Sequence, residues 1–373
     1  MMSKHKIMSV FGTRPEAIKM APLVQALKRL AHVESLVCVT GQHRDMLDQV
    51  LNIFSIRPDV DLNIMRFDQD LTSITTRTLE GLAPVLSEYK PELVLVHGDT
   101  TTSVSAALAA FYQKIPVAHV EAGLRSMDPY SPYPEEMNRC LISRLAQLHF
   151  APTAANADNL RRENVLGLIS VTGNTVIDAL MTTVYDTYEF QHEFLRSFDF
   201  DSGPTILLTA HRRENFGQPI VSICRAVRRL VEDHPGLRVI YPVHPNPQIQ
   251  QPVRQELADI EHLYLIEPLD VQEMHNLMDR CSFVMTDSGG LQEEAPALGK
   301  PVLVLRTETE RPEAVVAGTV EIAGVEEEGI YQAAHALLTD RDKFRRMATA
   351  VNPYGDGRAC ERILGCIETW LGS

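Results

Sequence analysis

An alternation that runs through the chain twice constrains its fold more than any other feature. Short apolar runs alternate with segments whose apolar residues recur at helical spacing. Residues 7–11, 36–40, 93–97, 117–120, 148–151 and 169–172 read as strands. After the first of them, Ala17, Met20, Val24 and Leu27 fall on one helical face. The pattern restarts after Gly173-Asn174, with strands expected at 205–209, 239–241, 264–266, 283–286, 302–305 and 319–322. Apolar strands each followed by a helix describe a parallel sheet covered on both faces, so the fold class is α/β. A chain of 373 residues exceeds what one core usually holds, which predicts two domains, 1–170 and 171–353. Residues 175–200 read as a helical connection. Residues 354–373 read as a closing helix through Cys360, Ile363, Ile367 and Leu371.

The net charge of −14 argues against a general nucleic-acid backbone binder, although a local basic pocket can still hold one phosphorylated metabolite. The six cysteines form no CxxC pair and several lie in apolar segments, so they read as reduced thiols, and no zinc pattern is present. No segment reads as a secretory signal or a membrane span, which predicts a cytoplasmic protein.

Chemistry is expected where apolar runs end. Asp99, Glu121 and Glu135 follow successive segments of the first half and are candidates to meet at one crevice. Each alone has a plain structural reading, Asp99 as a helix cap, Glu121 as an anchor of its loop and Glu135 as part of a polar first helical turn. Together they can push one another's pKa apart, leaving one acid and one base. Arg139 lies four residues after Glu135 and, on a helix, shares its face.

Gly12-Thr13-Arg14-Pro15-Glu16 leaves the first strand and opens a helix, where free amides and the positive helix end invite an anion, with Arg14 and Lys19 adding charge. A well-capped helix with a surface arginine is the competing account. Asp287-Ser288-Gly289-Gly290 precedes a second such helix start, and Glu294, a turn later, can accept from ribose hydroxyls. Arg311, in the loop after the next strand, reads either as a phosphate partner or as part of a salt-bridged loop. His211 follows a strand and can donate to phosphate, or belong to a solvated basic turn with Arg212 and Arg213.

Taken in order, the segments 11–20, 96–100, 119–125, 130–136, 211–215, 286–296 and 309–313 resemble the non-hydrolysing UDP-N-acetylglucosamine 2-epimerases, and the resemblance runs essentially end to end. It implies two Rossmann-like domains in the glycosyltransferase-B arrangement, a homodimer, and a nucleotide sugar bound between the domains. It also implies interconversion of UDP-N-acetylglucosamine and UDP-N-acetylmannosamine without NAD or a required metal, supplying surface polysaccharide. Carried over by position, Asp99, Glu121 and Glu135 form the acid/base group. Arg139 supports Glu135, and His211 assists at the diphosphate. Arg14, Lys19, Ser288, Gly289, Gly290, Glu294 and Arg311 form the nucleotide-binding set, with Met274 near the uracil. Some bacterial relatives bind a second substrate molecule as an activator. Gln42, Arg212, Arg213 and His244 fall in that region. Asp45 and Asp68, however, stand where those relatives resemble Gln and Arg, and a carboxylate suits a phosphate contact poorly. A hydrolysing 2-epimerase, a glycosyltransferase of the same fold and a catalytically inactive nucleotide-sugar sensor are the competing readings.

Overall fold

The computed structural model describes residues 4–372 other than 43, 67 and 68, and residues 44–46 by backbone alone. The chain divides into two compact units, Met1–Thr182 with Tyr354–Ser373, and Thr183–Pro353.

The first unit runs β1 (His5–Phe11), α1 (Arg14–Lys28), β2 (Val33–Val39), α2 (Arg44–Ile53), β3 (Val60–Asp61), α3 (Leu71–Tyr89) and β4 (Leu93–His97). It continues through α4 (Thr101–Tyr112), β5 (Val117–Val120), α5 (Glu135–Leu145), β6 (Leu148–Ala151), α6 (Ala154–Arg162), β7 (Leu168–Val171) and α7 (Thr175–Thr183). The strands form one parallel sheet in the order β3-β2-β1-β4-β5-β6-β7. The order reverses between β1 and β4, which makes this a Rossmann-like sheet with its switch point there. Strands β1, β4, β5 and β6 bury every side chain or nearly so, because helices cover both faces. α4 carries alanine and serine at most of its buried positions.

The second unit runs α8 (Glu193–Ser197), β8 (Thr205–Thr209), α9 (Gln218–Asp233), β9 (Arg238–Pro242), α10 (Pro247–Leu257), β10 (Leu263–Ile266) and α11 (Val271–Arg280). It closes with β11 (Phe283–Thr286), α12 (Gly289–Glu294), β12 (Val302–Val304), α13 (Pro312–Ala317), β13 (Val320–Ile322), α14 (Glu327–Thr339) and α15 (Arg341–Ala348). Its parallel sheet has the order β10-β9-β8-β11-β12-β13, the same plan with the switch point between β8 and β11. The final helix, α16 (Ala359–Leu371), belongs to the first unit. Cys360, Ile363 and Ile367 join Met20, Val24 and Leu27 of α1 in one apolar core.

The units divide after Thr182 rather than near 170. α7 stays with the first sheet because Asp178 accepts hydrogen bonds from the amides of Ala359 and Cys360 at the start of α16, at 3.1 and 2.8 Å. Residues 175–200 are not one helical connection. α7 ends at Thr183, and only Glu193–Ser197 is helical again before a short 3₁₀ turn. The two-residue β3 carries too little apolar signal to be seen in the sequence. All six cysteines are free thiols. Among the described residues, no helix is long and apolar enough to cross a membrane.

Candidate active site

In the first unit the loops after β1, β4 and β5 open on the carboxyl edge of the sheet at the switch point. Glu16 braces two of them. Thr13 and Glu16 form a capping box at the start of α1. Oε2 of Glu16 accepts from the amides of Gly12 and Thr13 at 3.0 and 2.8 Å, and from the Thr13 hydroxyl at 2.7 Å. Its other oxygen accepts from Thr100 and Ser103, which flank the loop carrying Asp99, at 2.7 and 2.8 Å. The amides of Gly12 and Thr13 are therefore taken by a carboxylate that the helix itself supplies. Arg14 beside them is half-buried and, among the described residues, forms no ion pair or side-chain hydrogen bond.

Asp99 follows β4. Its Oδ2 accepts from Arg139 Nε at 2.8 Å and lies 2.7 Å from Nη2, while its backbone carbonyl accepts from Asn138 Nδ2 at 2.8 Å. Burial raises the Asp99 pKa, Arg139 opposes that, and the charges of Glu121 and Glu135 raise it further. Glu121 and Glu135 thus both lie near enough to act on Asp99. Arg139 does not support Glu135. It donates to Asp99 and, at 3.2 Å, to Glu136. Glu136 is the buried one of the two glutamates, and its oxygens also accept from the amides of Ser126 and Met127 at 2.9 and 3.1 Å. Asp99 and the buried Glu136 together accept the guanidinium that sequence spacing would have given to Glu135.

Glu121 ends β5 with φ of 64°, a left-handed conformation uncommon for a side-chain-bearing residue and frequent at functional sites. Its Oε1 accepts from Lys19 Nζ and, at 2.8 Å, from Asn174 Nδ2. His97 Nε2 stands 3.5 Å from Oε2. Burial pulls the His97 pKa down to about 4 against the pull of Glu121, so its imidazole is neutral at pH 7. His119 is also neutral, lowered by burial to about 3, with Nε2 donating to the Gly98 carbonyl at 2.7 Å. Gln42 accepts from the Thr102 hydroxyl at 2.8 Å. Asp68 lies outside the described residues, as does the side chain of Asp45.

In the second unit β8 and β11 flank the switch point, and their ends bring His211 and Asp287 together. Asp287 is fully buried. Its Oδ2 accepts from the amides of His211 and Arg212, both at 2.7 Å, and from Asn215 Nδ2 at 2.9 Å. His211 Nδ1 stands 3.2 Å from Oδ1. Burial would raise the Asp287 pKa, but His211 and these amides outweigh it and hold the carboxyl low. The pairing directs Nδ1 of the His211 ring toward Asp287. His244 stacks on His211 at 5.6 Å, and its own pKa is lowered by burial and then by that neighbour.

Ser288 caps α12 without spending its hydroxyl on the cap. Arg212 reaches over this loop, since a Cβ on Gly289 would lie 3.6 Å from Nη2. Glu294 stands 3.7 Å from His275 Nε2. The Arg311 loop takes the ion-paired form, with Nε donating to buried Glu293 and Nη1 to the Glu310 carbonyl at 3.2 Å. Met274 is half-buried on α11, and Arg213 is exposed.

Glu16, Glu136, Asn174 and Asp287 escaped the sequence reading as site residues. The Thr13–Glu16 spacing is a capping-box signature and was visible. Asp287 and His211 meet only once β8 and β11 are known to be neighbours.

Comparison with known proteins places this edge chemistry in a family. The family model for UDP-N-acetylglucosamine 2-epimerase matches residues 25–368. The UDP-N-acetylglucosamine 2-epimerase of Bacillus subtilis is 54% identical and covers 97% of this chain and 95% of its own. That of Escherichia coli K12 is 52% identical, covering 97% and 98%. The crystal structure of UDP-GlcNAc 2-epimerase from Neisseria meningitidis bound to UDP-GlcNAc is similar with a TM-score of 0.89 at 48% identity, covering 98% of this chain and 100% of that one. With a family model and relatives matching over nearly its whole length, the chain belongs to the UDP-N-acetylglucosamine 2-epimerase family.

Proposed function

We propose that this chain inverts C2 of UDP-N-acetylglucosamine by eliminating and re-adding UDP. The C2 proton is not beside a carbonyl, so direct removal is unfavourable. Breaking the C1–oxygen bond sends its electron pair to the β-phosphate oxygen and leaves C1 cation-like. The C2 proton then passes to a carboxylate, and its bonding pair forms the C1–C2 double bond of 2-acetamidoglucal. A proton delivered to the opposite face of C2, with return of the phosphate oxygen to C1, yields UDP-N-acetylmannosamine.

The observation that carries this reading is the cluster of Asp99, Glu121 and Glu135, in which burial and like charge raise Asp99 while Arg139 restrains it. Groups with separated proton affinities suit removal on one face and delivery on the other. Asp99, Glu121 and Glu135 are the acid/base group, with Arg139 holding Asp99. His211, oriented by Asp287, assists the leaving diphosphate. Arg14, Lys19, Ser288, Gly289, Gly290, Glu294 and Arg311 bind the nucleotide, with Met274 near the uracil. The enzyme acts as a homodimer and supplies amino sugar for surface polysaccharide. Incubation with UDP-N-acetylglucosamine in deuterated water, followed by NMR, tests the reaction. UDP-N-acetylmannosamine with deuterium at C2 is expected. Product that keeps its original C2 hydrogen, or free N-acetylmannosamine with stoichiometric UDP, refutes it.

A further inference from the structure

Asn174 is buried and divides its side-chain amide between two tasks. Oδ1 accepts from the amide of Val176 at 3.1 Å in the first turn of α7. Nδ2 donates to Oε1 of Glu121 at 2.8 Å. Its backbone N–H donates to the carbonyl of Tyr354 at 2.7 Å, the first residue after the chain returns to this unit. Backbone and side chain are therefore both held.

The choice of residue is informative. Asp and Ser cap a helix about as well as Asn, and Asp gains further from the helix dipole. Asp, however, offers no donor. Ser is too short to accept from Val176 and reach Glu121 at once. Asn presents an acceptor and a donor on opposite sides of one planar group, as this position demands.

We infer that Asn174 is a positioning residue that fixes the orientation of the Glu121 carboxylate for proton transfer. This rests on the reading of Glu121 as a member of the acid/base group. Lys19 from α1 shares Oε1 with Asn174, His97 from β4 stands beside Oε2, and Asp99 presses from the next loop. Asn174 contributes the donor that neither adds charge nor titrates. Together with Lys19 it anchors Oε1 of a residue whose backbone is itself held in the left-handed region.

Asn174→Asp keeps the shape, the acceptor for Val176 and the backbone bond to Tyr354. It sets a carboxylate oxygen against Glu121 where a donor stood. In the D2O assay, kcat at neutral pH is expected to fall about tenfold or more, with KM changed by no more than about threefold. The acid limb of the kcat profile is expected to move up by about one pH unit, because adjacent carboxylates oppose each other's ionisation. Asn174→Ser retains a helix cap and is expected to lose kcat without moving the limb. Glu121→Gln is measured alongside. If it is inactive while both Asn174 variants keep the wild-type kcat and pH profile, the role of Asn174 is overturned and that of Glu121 stands. If Glu121→Gln turns over normally, the acid/base reading itself falls. Thermal melts accompany each variant. Should Asn174→Asp fail to fold, an unchanged kcat in Asn174→Ser overturns the inference.

Discussion

Replacing Arg139 by methionine strips Asp99 of the guanidinium that holds it. Two guanidinium nitrogens approach Oδ2 at 2.8 and 2.7 Å, which puts the charge centres about 4 Å apart. At an effective dielectric constant of about 20 their attraction is about 4 kcal/mol. The Asp99 side chain is 26% exposed, and water entering the vacated space screens part of this, so the carboxyl is expected to rise by less than the full attraction implies. The sign is fixed by the neighbours, since burial, Glu121 and Glu135 all push Asp99 upward once the guanidinium is gone. The acid limb of log kcat/KM is therefore expected to move to higher pH, with much of the lost rate recovered at alkaline pH. Arg139→Lys keeps a charge but not the two-point contact. It should move the limb less while still lowering kcat. Glu136 keeps its bonds from Ser126 and Met127, so both variants are expected to fold, and thermal melts check this. An unmoved limb in folded Arg139→Met would refute the coupling of Asp99 to the rate.

Asp287→Asn removes the charge that orients His211 while the backbone donors remain. A fall in kcat of about 10- to 100-fold is expected, with UDP affinity by calorimetry largely kept. Parallel losses in both would assign Asp287 to binding instead. Folding stability is expected to drop in acid as the buried histidines charge. The pKa of His97 is lowered to about 4 and that of His119 to about 3, each chiefly by burial. The stability they lend is whole above the ordinary value near 6.5 and is lost as pH falls through 4 toward 3, on the order of 3 kcal/mol for His97 alone. Urea midpoints at pH 7 and pH 4 measure it, and His97→Gln should shrink the difference while leaving the share of His119.

The parallel sheets were legible because buried parallel strands are apolar throughout. β4, β5, β6, β8 and β11 have the bounds their apolar runs define. Asp99 and Glu121 were legible because they stand where such runs stop, whereas Glu135 opens the helix that follows. The partners were not. Arg139 has the i,i+4 spacing for Glu135, yet its guanidinium turns to Asp99 forty residues away, because the fold brings the end of β4 beside α5 and sequence distance does not report that. Asn174 looked like a domain boundary, and its bond to Glu121 crosses fifty-three residues. α7 was assigned to the wrong unit because nothing local reveals that Asp178 caps α16.

Two glycines, each beyond a strand that flanks the switch point of its own sheet, separate packing from ligand approach. Gly12 follows β1, where a Cβ would fall 1.9 Å from the Thr40 hydroxyl and 2.9 Å from that of Thr102. Its amide already serves Glu16, so this glycine is needed for the fold. Gly289 follows β11, where a Cβ would meet nothing nearer than Arg212 Nη2 at 3.6 Å, an ordinary contact. Ser288 leaves its hydroxyl uncommitted to the cap, so on the proposed function this is where a diphosphate comes closest to backbone. Gly12→Ala is expected to lower the melting temperature by several degrees, since overpacking of this kind costs about 1–3 kcal/mol. Gly289→Ala is expected to melt like the wild type and to weaken UDP binding by about tenfold, or about 1.4 kcal/mol, in isothermal titration. Wild-type UDP affinity in Gly289→Ala would remove the β11–α12 loop from the diphosphate site. A Gly12→Ala variant that melts normally and loses only UDP binding would return that site to the start of α1.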